Sequence, residues 1–137
     1  MRRYLLETGP LAAYLQGRPR ALALIGPWIG QREVATSPLC YAEVNKYILG
    51  FPDYLRRHHN LRQLLREVVP YSPTYAVLGR YGELRRQMRP PHSPGLIGDV
   101  DTLIAATALV RDLTLVTNDS DFQHVPGLKL LLLPSLR

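Results

Sequence analysis

The sequence predicts an α/β fold built on a parallel sheet, and three observations point there. Short apolar runs, RYLL (3–6), VATS (34–37), VVPYS (68–72), LTLVT (113–117) and LKLLLL (128–133), alternate with longer stretches of helical pattern. Ser-Pro pairs at 37–38 and 72–73 follow two of those runs directly, the signature of an N-cap with Pro in the first helical position. A chain of 137 residues, 46% of them apolar, supplies the core of one domain, residues 1–137.

The elements are predicted in order as follows. RYLL is a short strand that stops at Glu7, ahead of Thr8, Gly9 and Pro10. Residues 10–17 and 21–30 are helical, broken by the turn at Gly17–Pro19. VATS is the second strand, and Ser37 caps the helix LCYAEVNKYILG, which ends at Gly50. A basic amphipathic segment runs from Pro52 to about Arg66. VVPYS is the third strand, with Ser72 capping a long helix over 73–89 that carries a basic end. PPHSPGLIG (90–98) reads as a loop of the kind that borders active sites. DVDTLIAATALVRD (99–112) is a buried helix, LTLVT a central strand, NDSDF a turn or short helix, and LKLLLL the last strand.

Composition excludes several classes. No run approaches the ~18 apolar residues of a membrane span, and Glu7 interrupts the opening apolar run too early for a signal peptide. A soluble cytoplasmic protein, without membrane association, is expected. The single Cys40 excludes an intramolecular disulfide and a cysteine zinc site, and is expected to be a buried thiol. The net charge is +6, and Lys46 and Lys129 are the only lysines, so the positive charge is nearly all Arg. Guanidinium groups match phosphate bidentately, which points to a polyanionic partner.

The acids carry the chemical signal. Glu33, Asp53, Glu67, Glu83 and Asp112 lie in polar or basic surroundings and read as surface charge. Glu7 ends the first strand, Glu43 lies inside an apolar helix, Asp99 and Asp101 open the most buried helix, and Asp119 and Asp121 follow the fourth strand. Each alone has a plain structural reading, as a turn former, a cap or a solvated side chain. Jointly, separate segments bring acids to the places where strand ends and helix starts converge in a parallel sheet. Carboxylates gathered in one place repel unless a cation joins them. Their hard oxygens favour Mg²⁺ or Mn²⁺. With these acids neutralised, the remaining surface is strongly basic, so an acidic metal pocket sits in a basic field, as a phosphodiester substrate requires.

At these positions the chain resembles the PIN-domain family, in particular the VapC-type toxins of toxin–antitoxin pairs. LLETGPL resembles the family's opening L-L-D-T-x-x-L. SPLCYAE, with Glu43, resembles its S-x-x-x-x-E stretch. DTLIAATAL from Asp101 resembles D-x-x-I-A-A-x-A-L, and LVTNDSDF, with Thr117, Asp119 and Asp121, resembles L-V-T-x-D-x-D-F. The resemblance implies a PIN-like (Rossmann-like) three-layer α/β/α sandwich with a central parallel sheet. It also implies a metal-dependent endoribonuclease, a homodimer, and a cognate antitoxin that blocks the site. The departure is Glu7, where the family has Asp. Its arm is longer by one C–C bond, ~1.5 Å.

On this basis Glu7, Glu43, Asp101 and Asp119 are expected as the inner, catalytic set holding Mg²⁺ or Mn²⁺, with Asp99 and Asp121 as outer members. A water attacks the scissile phosphate with one carboxylate as base, leaving 5′-phosphate and 3′-hydroxyl ends. Thr8 and Thr117 are expected to hydrogen-bond the ligand carboxylates, and Arg56, Arg57, Arg85, Arg86 and Arg89 to contact RNA. The histidines are read as surface residues. One alternative is a PIN-like domain that cleaves weakly or not at all because of Glu7 and serves as an RNA- or protein-binding module. Another, from a different class, is a phosphoacceptor domain. That one calls for a strand-end lysine, and Lys129 is the only late lysine.

Overall fold

The computed structural model describes residues 1–89 and 97–136. Most of the expected 90–98 loop lies outside the described residues. Five strands form one all-parallel sheet: β1 (Tyr4–Leu6), β2 (Val34–Thr36), β3 (Val69–Pro70), β4 (Thr114–Thr117) and β5 (Leu130–Leu132). The spatial order is β3-β2-β1-β4-β5. The middle strand is therefore β1, and LTLVT is interior beside it rather than at the centre. Leu5 pairs with Ala35 on one side and Leu115 on the other. Leu5, Leu6, Val34, Ala35, Leu115 and Val116 are buried on both faces, which is why these strands read as continuous apolar runs.

Helices α1 (Thr8–Leu15) and α2 (Pro19–Gly30) connect β1 to β2, and α3 (Pro38–Ile48) and α4 (Tyr54–Leu64) connect β2 to β3. Helices α5 (Tyr75–Gln87) and α6 (Asp99–Arg111) lead from β3 back across to β4. Right-handed crossovers in opposite directions along the sheet place the first four helices on one face and the last two on the other. The packing agrees: α1 contacts α2, α3 and α4, and α5 packs along α6. The result is the three-layer α/β/α sandwich.

Helix starts follow local chemistry. Ser37 Oγ accepts the Leu39 amide at 3.1 Å, with Pro38 following. The second Ser-Pro pair does not cap. Thr74 takes that role, its Oγ1 accepting the Val77 amide at 3.3 Å, because β3 ends at Pro70 and the chain turns helical only at Tyr75. Gly98, not Asp99, is the N-cap of α6. Cys40 is buried. Burial and then the nearby Glu7 charge push its thiol up to about 12, so it stays protonated and is no nucleophile. Among the described residues no helix is long and apolar enough to cross a membrane.

Candidate metal centre

The strand order reverses between β1 and β4. In an open parallel sheet, such a switch point opens a crevice beyond the carboxyl ends of the two strands, because their connections leave in opposite directions. Glu7 directly follows β1, and its amide donates to Val116 O of β4 at 3.0 Å. The backbone thus turns from strand into α1 at the mouth of that crevice.

Three carboxylates meet there. One oxygen each from Glu7, Glu43 and Asp101 lies within 4.8 Å of the others. They come from the end of β1, the middle of α3 and the first turn of α6. Glu7 is buried, Asp101 half-buried and Glu43 exposed. The longer arm of Glu7 therefore still reaches the group. Its Oε1 accepts a 2.7 Å hydrogen bond from Thr117 Oγ1, whose lone pair in turn accepts the Asp119 amide at 3.0 Å. That second bond orients the hydroxyl so that its proton points at Glu7. Thr8 Oγ1 donates to Glu43 Oε1 at 2.6 Å. Both threonines thus hold carboxylates of this group.

Asp119 and Asp121 stand outside the trio. Asp119 Oδ1 accepts the Asp121 amide at 2.9 Å and caps a short 3-10 helix, Ser120–His124. Their charges still reach the trio: burial first, then the charges of Glu7, Glu43, Asp119 and Asp121, push the Asp101 carboxyl up to about 6.

Asp99, expected as an outer member, is engaged elsewhere. Its Oδ1 accepts from Tyr81 Oη at 2.9 Å and lies 3.3 Å from Arg85 Nε. The same Arg85 guanidinium donates to Ile97 O and lies 3.4 Å from Thr102 Oγ1. Arg85, expected to contact RNA, therefore turns inward and ties α5 to the start of the helix that carries Asp101. Sequence reasoning missed this clamp, because Tyr81 and Arg85 are separated from Asp99 by residues 90–98, whose path sequence does not give.

The other predicted basic residues divide. Arg56 and Arg57 pair with Asp53 at 2.5 and 2.8 Å, which holds the Asp53 carboxyl down at about 2. Arg86 and Arg89 are exposed and form no ion pair among the described residues. His58, read as surface, is half-buried with Nδ1 2.9 Å from Asn45 Oδ1. Lys129 pairs with Asp112 at 2.6 Å, so it is not the cationic partner that a phosphoacceptor site needs.

The trio suits a hard divalent cation. Its donors are all carboxylate oxygens, and among the described residues no Arg, Lys or His forms an ion pair with Glu7, Glu43, Asp101, Asp119 or Asp121. Elsewhere Glu33, Asp53, Glu83 and Asp112 each have a cationic partner. In a chain of net charge +6, such a concentration of acid without a cationic side chain is the kind of setting that a hard cation favours.

Residues 4–128 match the PIN domain family, and the chain belongs to that family. Its fold is similar to that of VapBC2 from Rickettsia felis, solved bound to a DNA fragment from their promoter. The identity there is 23% and the TM-score 0.83, over 95% of this chain and 98% of that one. It is similar as well to DNA-bound VapBC from Salmonella typhimurium, with 17% identity and TM-score 0.83 over 96% and 98% of the two chains. FitAcB from Neisseria gonorrhoeae gives 22% identity and TM-score 0.79 over 93% and 96%. At these identities the likeness is one of fold. No curated protein sequence matches the chain.

Proposed function

We propose that the chain is an Mg²⁺- or Mn²⁺-dependent endoribonuclease and the toxin of a type II toxin–antitoxin pair. The observation that carries this reading is the meeting of Glu7, Glu43 and Asp101 at the switch point of the sheet without a protein counter-charge. Glu7, Glu43 and Asp101 would hold the ion, with Asp119 adding negative field and Asp121 next to it. A divalent cation bound there would neutralise the charge of a phosphoryl group and lower the pKa of a water beside it.

The protein's own residues supply the rest. Thr117 and Thr8 hold Glu7 and Glu43 in place by their hydroxyls. One carboxylate beside the ion would take the proton from the attacking water. The surrounding Arg-rich surface draws the polyanion in.

Membership in the PIN family and the likeness to VapBC structures support a cognate antitoxin as protein partner, and a homodimer is part of the same proposal. The test is cleavage of single-stranded and structured RNA by the purified chain. Cleavage is expected with Mg²⁺ or Mn²⁺, and none with EDTA. Cleavage at an unchanged rate in EDTA would overturn the reading.

A further inference from the structure

Helix α3 carries an ordered stripe leading away from the carboxylates. Glu43 and Tyr47 are four apart within α3 and lie on one face about one turn from each other, and Phe51 follows just beyond the end of the helix at Ile48. Tyr47 does not serve the core: it is 52% exposed. Its ring is nevertheless held. Phe51 braces it edge-on, with ring centroids 5.0 Å apart and planes at 76°. The Arg57 guanidinium covers Phe51 at 3.9 Å and is itself fixed by Asp53. The bracing chain ends in an ion pair, while about half of the Tyr47 surface remains open to solvent.

Two grooves meet at this ring. One, of ≈ 480 Å³, is lined by Thr8, Glu43, Arg18 and Asn118 as well as Tyr47. The other, of ≈ 210 Å³, shares Ala12, Gln16, Val44 and Tyr47 with the first and continues to Arg56 and Arg57. Among the described residues, Glu43 is the only acid lining either groove, whereas three guanidinium groups line them. The grooves leading from Glu43 thus combine apolar side chains, an open aromatic ring and guanidinium groups, of which Arg18 forms no ion pair among the described residues. A single-stranded nucleic acid has use for each part, since its phosphates need cations and its unpaired bases need a π-face.

We propose that Tyr47 is the stacking platform for one unpaired nucleobase of an RNA strand lying in this groove, beside the phosphate presented to Glu7, Glu43 and Asp101. The proposal rests on the nuclease reading and deepens it, because a base inside a duplex is already stacked and has no face to offer. The preferred substrate is therefore an unpaired segment.

The test compares wild type, Tyr47→Phe and Tyr47→Ala on a fluorescein-labelled single-stranded RNA and on the same RNA annealed to its complement. Tyr47→Ala is expected to raise KM for the single strand about 10- to 100-fold, the range of one base–aromatic stack, with thermal stability unchanged. Tyr47→Phe retains the wild-type KM. An abasic residue placed at one position beside the cut reproduces the Tyr47→Ala loss and adds nothing to it. An unchanged KM in Tyr47→Ala overturns the proposal, as does an effect that adds to that of every abasic position. Loss of a protein partner's binding with RNA KM intact also overturns it and gives the groove to a protein segment. If wild type cuts no RNA with any divalent ion, it is the nuclease reading that fails. The Kd of the same RNAs by fluorescence anisotropy then decides the platform by the same comparison.

Discussion

Asp101→Asn is expected to abolish most metal-dependent cleavage while making the metal-free protein more stable. Loss of an outer partner of a metal ligand costs about 10- to 100-fold, so loss of a ligand carboxylate is expected to cost at least about 100-fold in kcat/KM. The stability effect has the opposite sign. Burial and four neighbouring acids raise the Asp101 carboxyl from the ordinary 3.8 to about 6. The folded protein therefore holds a proton that the unfolded chain releases at lower pH. Stability contributed at this site is greatest below about pH 4 and falls as pH rises to about 6, and the cost is complete above that. At pH 7.5 in EDTA, Asn removes this cost. Because Asp101 is only half-buried, solvent screening leaves about 1 kcal/mol, which corresponds to a Tm rise of about 3–5 °C. Thermal unfolding with and without Mn²⁺ checks both halves: wild type gains Tm from the ion, and Asp101→Asn does not. A variant that is less stable than wild type in EDTA would contradict the electrostatic account of this site.

Glu7→Asp is the second large effect, and its direction separates the two readings of the unusual residue. The Glu7 carboxylate is buried, bonded to Thr117 at 2.7 Å and within reach of Glu43 and Asp101. Shortening the arm by ~1.5 Å withdraws the oxygen from both. Misplacement by about 1 Å costs on the order of 100-fold in rate, so Glu7→Asp is expected to lower kcat by roughly that factor. A fall of that size would mean that the site is built around Glu, whose carboxylate Thr117 meets. A strong rise in kcat would mean that the native site is compromised, and would favour the weakly cleaving binding module instead.

Much of this was legible in the residues themselves. Buried parallel strands announce themselves as unbroken apolar runs, and an acid at the end of such a run has few places to go but the sheet edge. That logic placed Glu7 at the sheet edge, while Asp101 was singled out as opening the most apolar helix, and Asp119, expected in the inner set, stands outside the trio. Ser37 was legible as a cap because strand, cap and proline are contiguous. Ser72 was misread because the same dipeptide follows a strand of only two residues, Val69–Pro70, and the helix starts later. The strand order was not legible, since nothing local says that β4 pairs with β1. The switch point that gathers the acids is therefore a tertiary fact. The pairing of Asp99 with Arg85 was not legible for a related reason. An acid two residues before Asp101 and an arginine on a basic helix each look functional alone, and only the packing of α5 on α6 shows them paired with each other. Tyr47 was overlooked because an aromatic inside an apolar helix reads as core. Its exposure and its place four residues beyond Glu43 change that reading.

The central claim is that Glu7, Glu43 and Asp101 form one divalent-cation site. Electron paramagnetic resonance of free Mn²⁺, titrated with wild type and with Asp101→Asn, tests it most directly. At pH 7.5 the wild-type protein is expected to remove the free Mn²⁺ signal in a saturable way, with uptake falling as pH drops through about 6, where Asp101 takes up its proton. Asp101→Asn is expected to take up little. Equal Mn²⁺ uptake by the two proteins at pH 7.5 would contradict the claim.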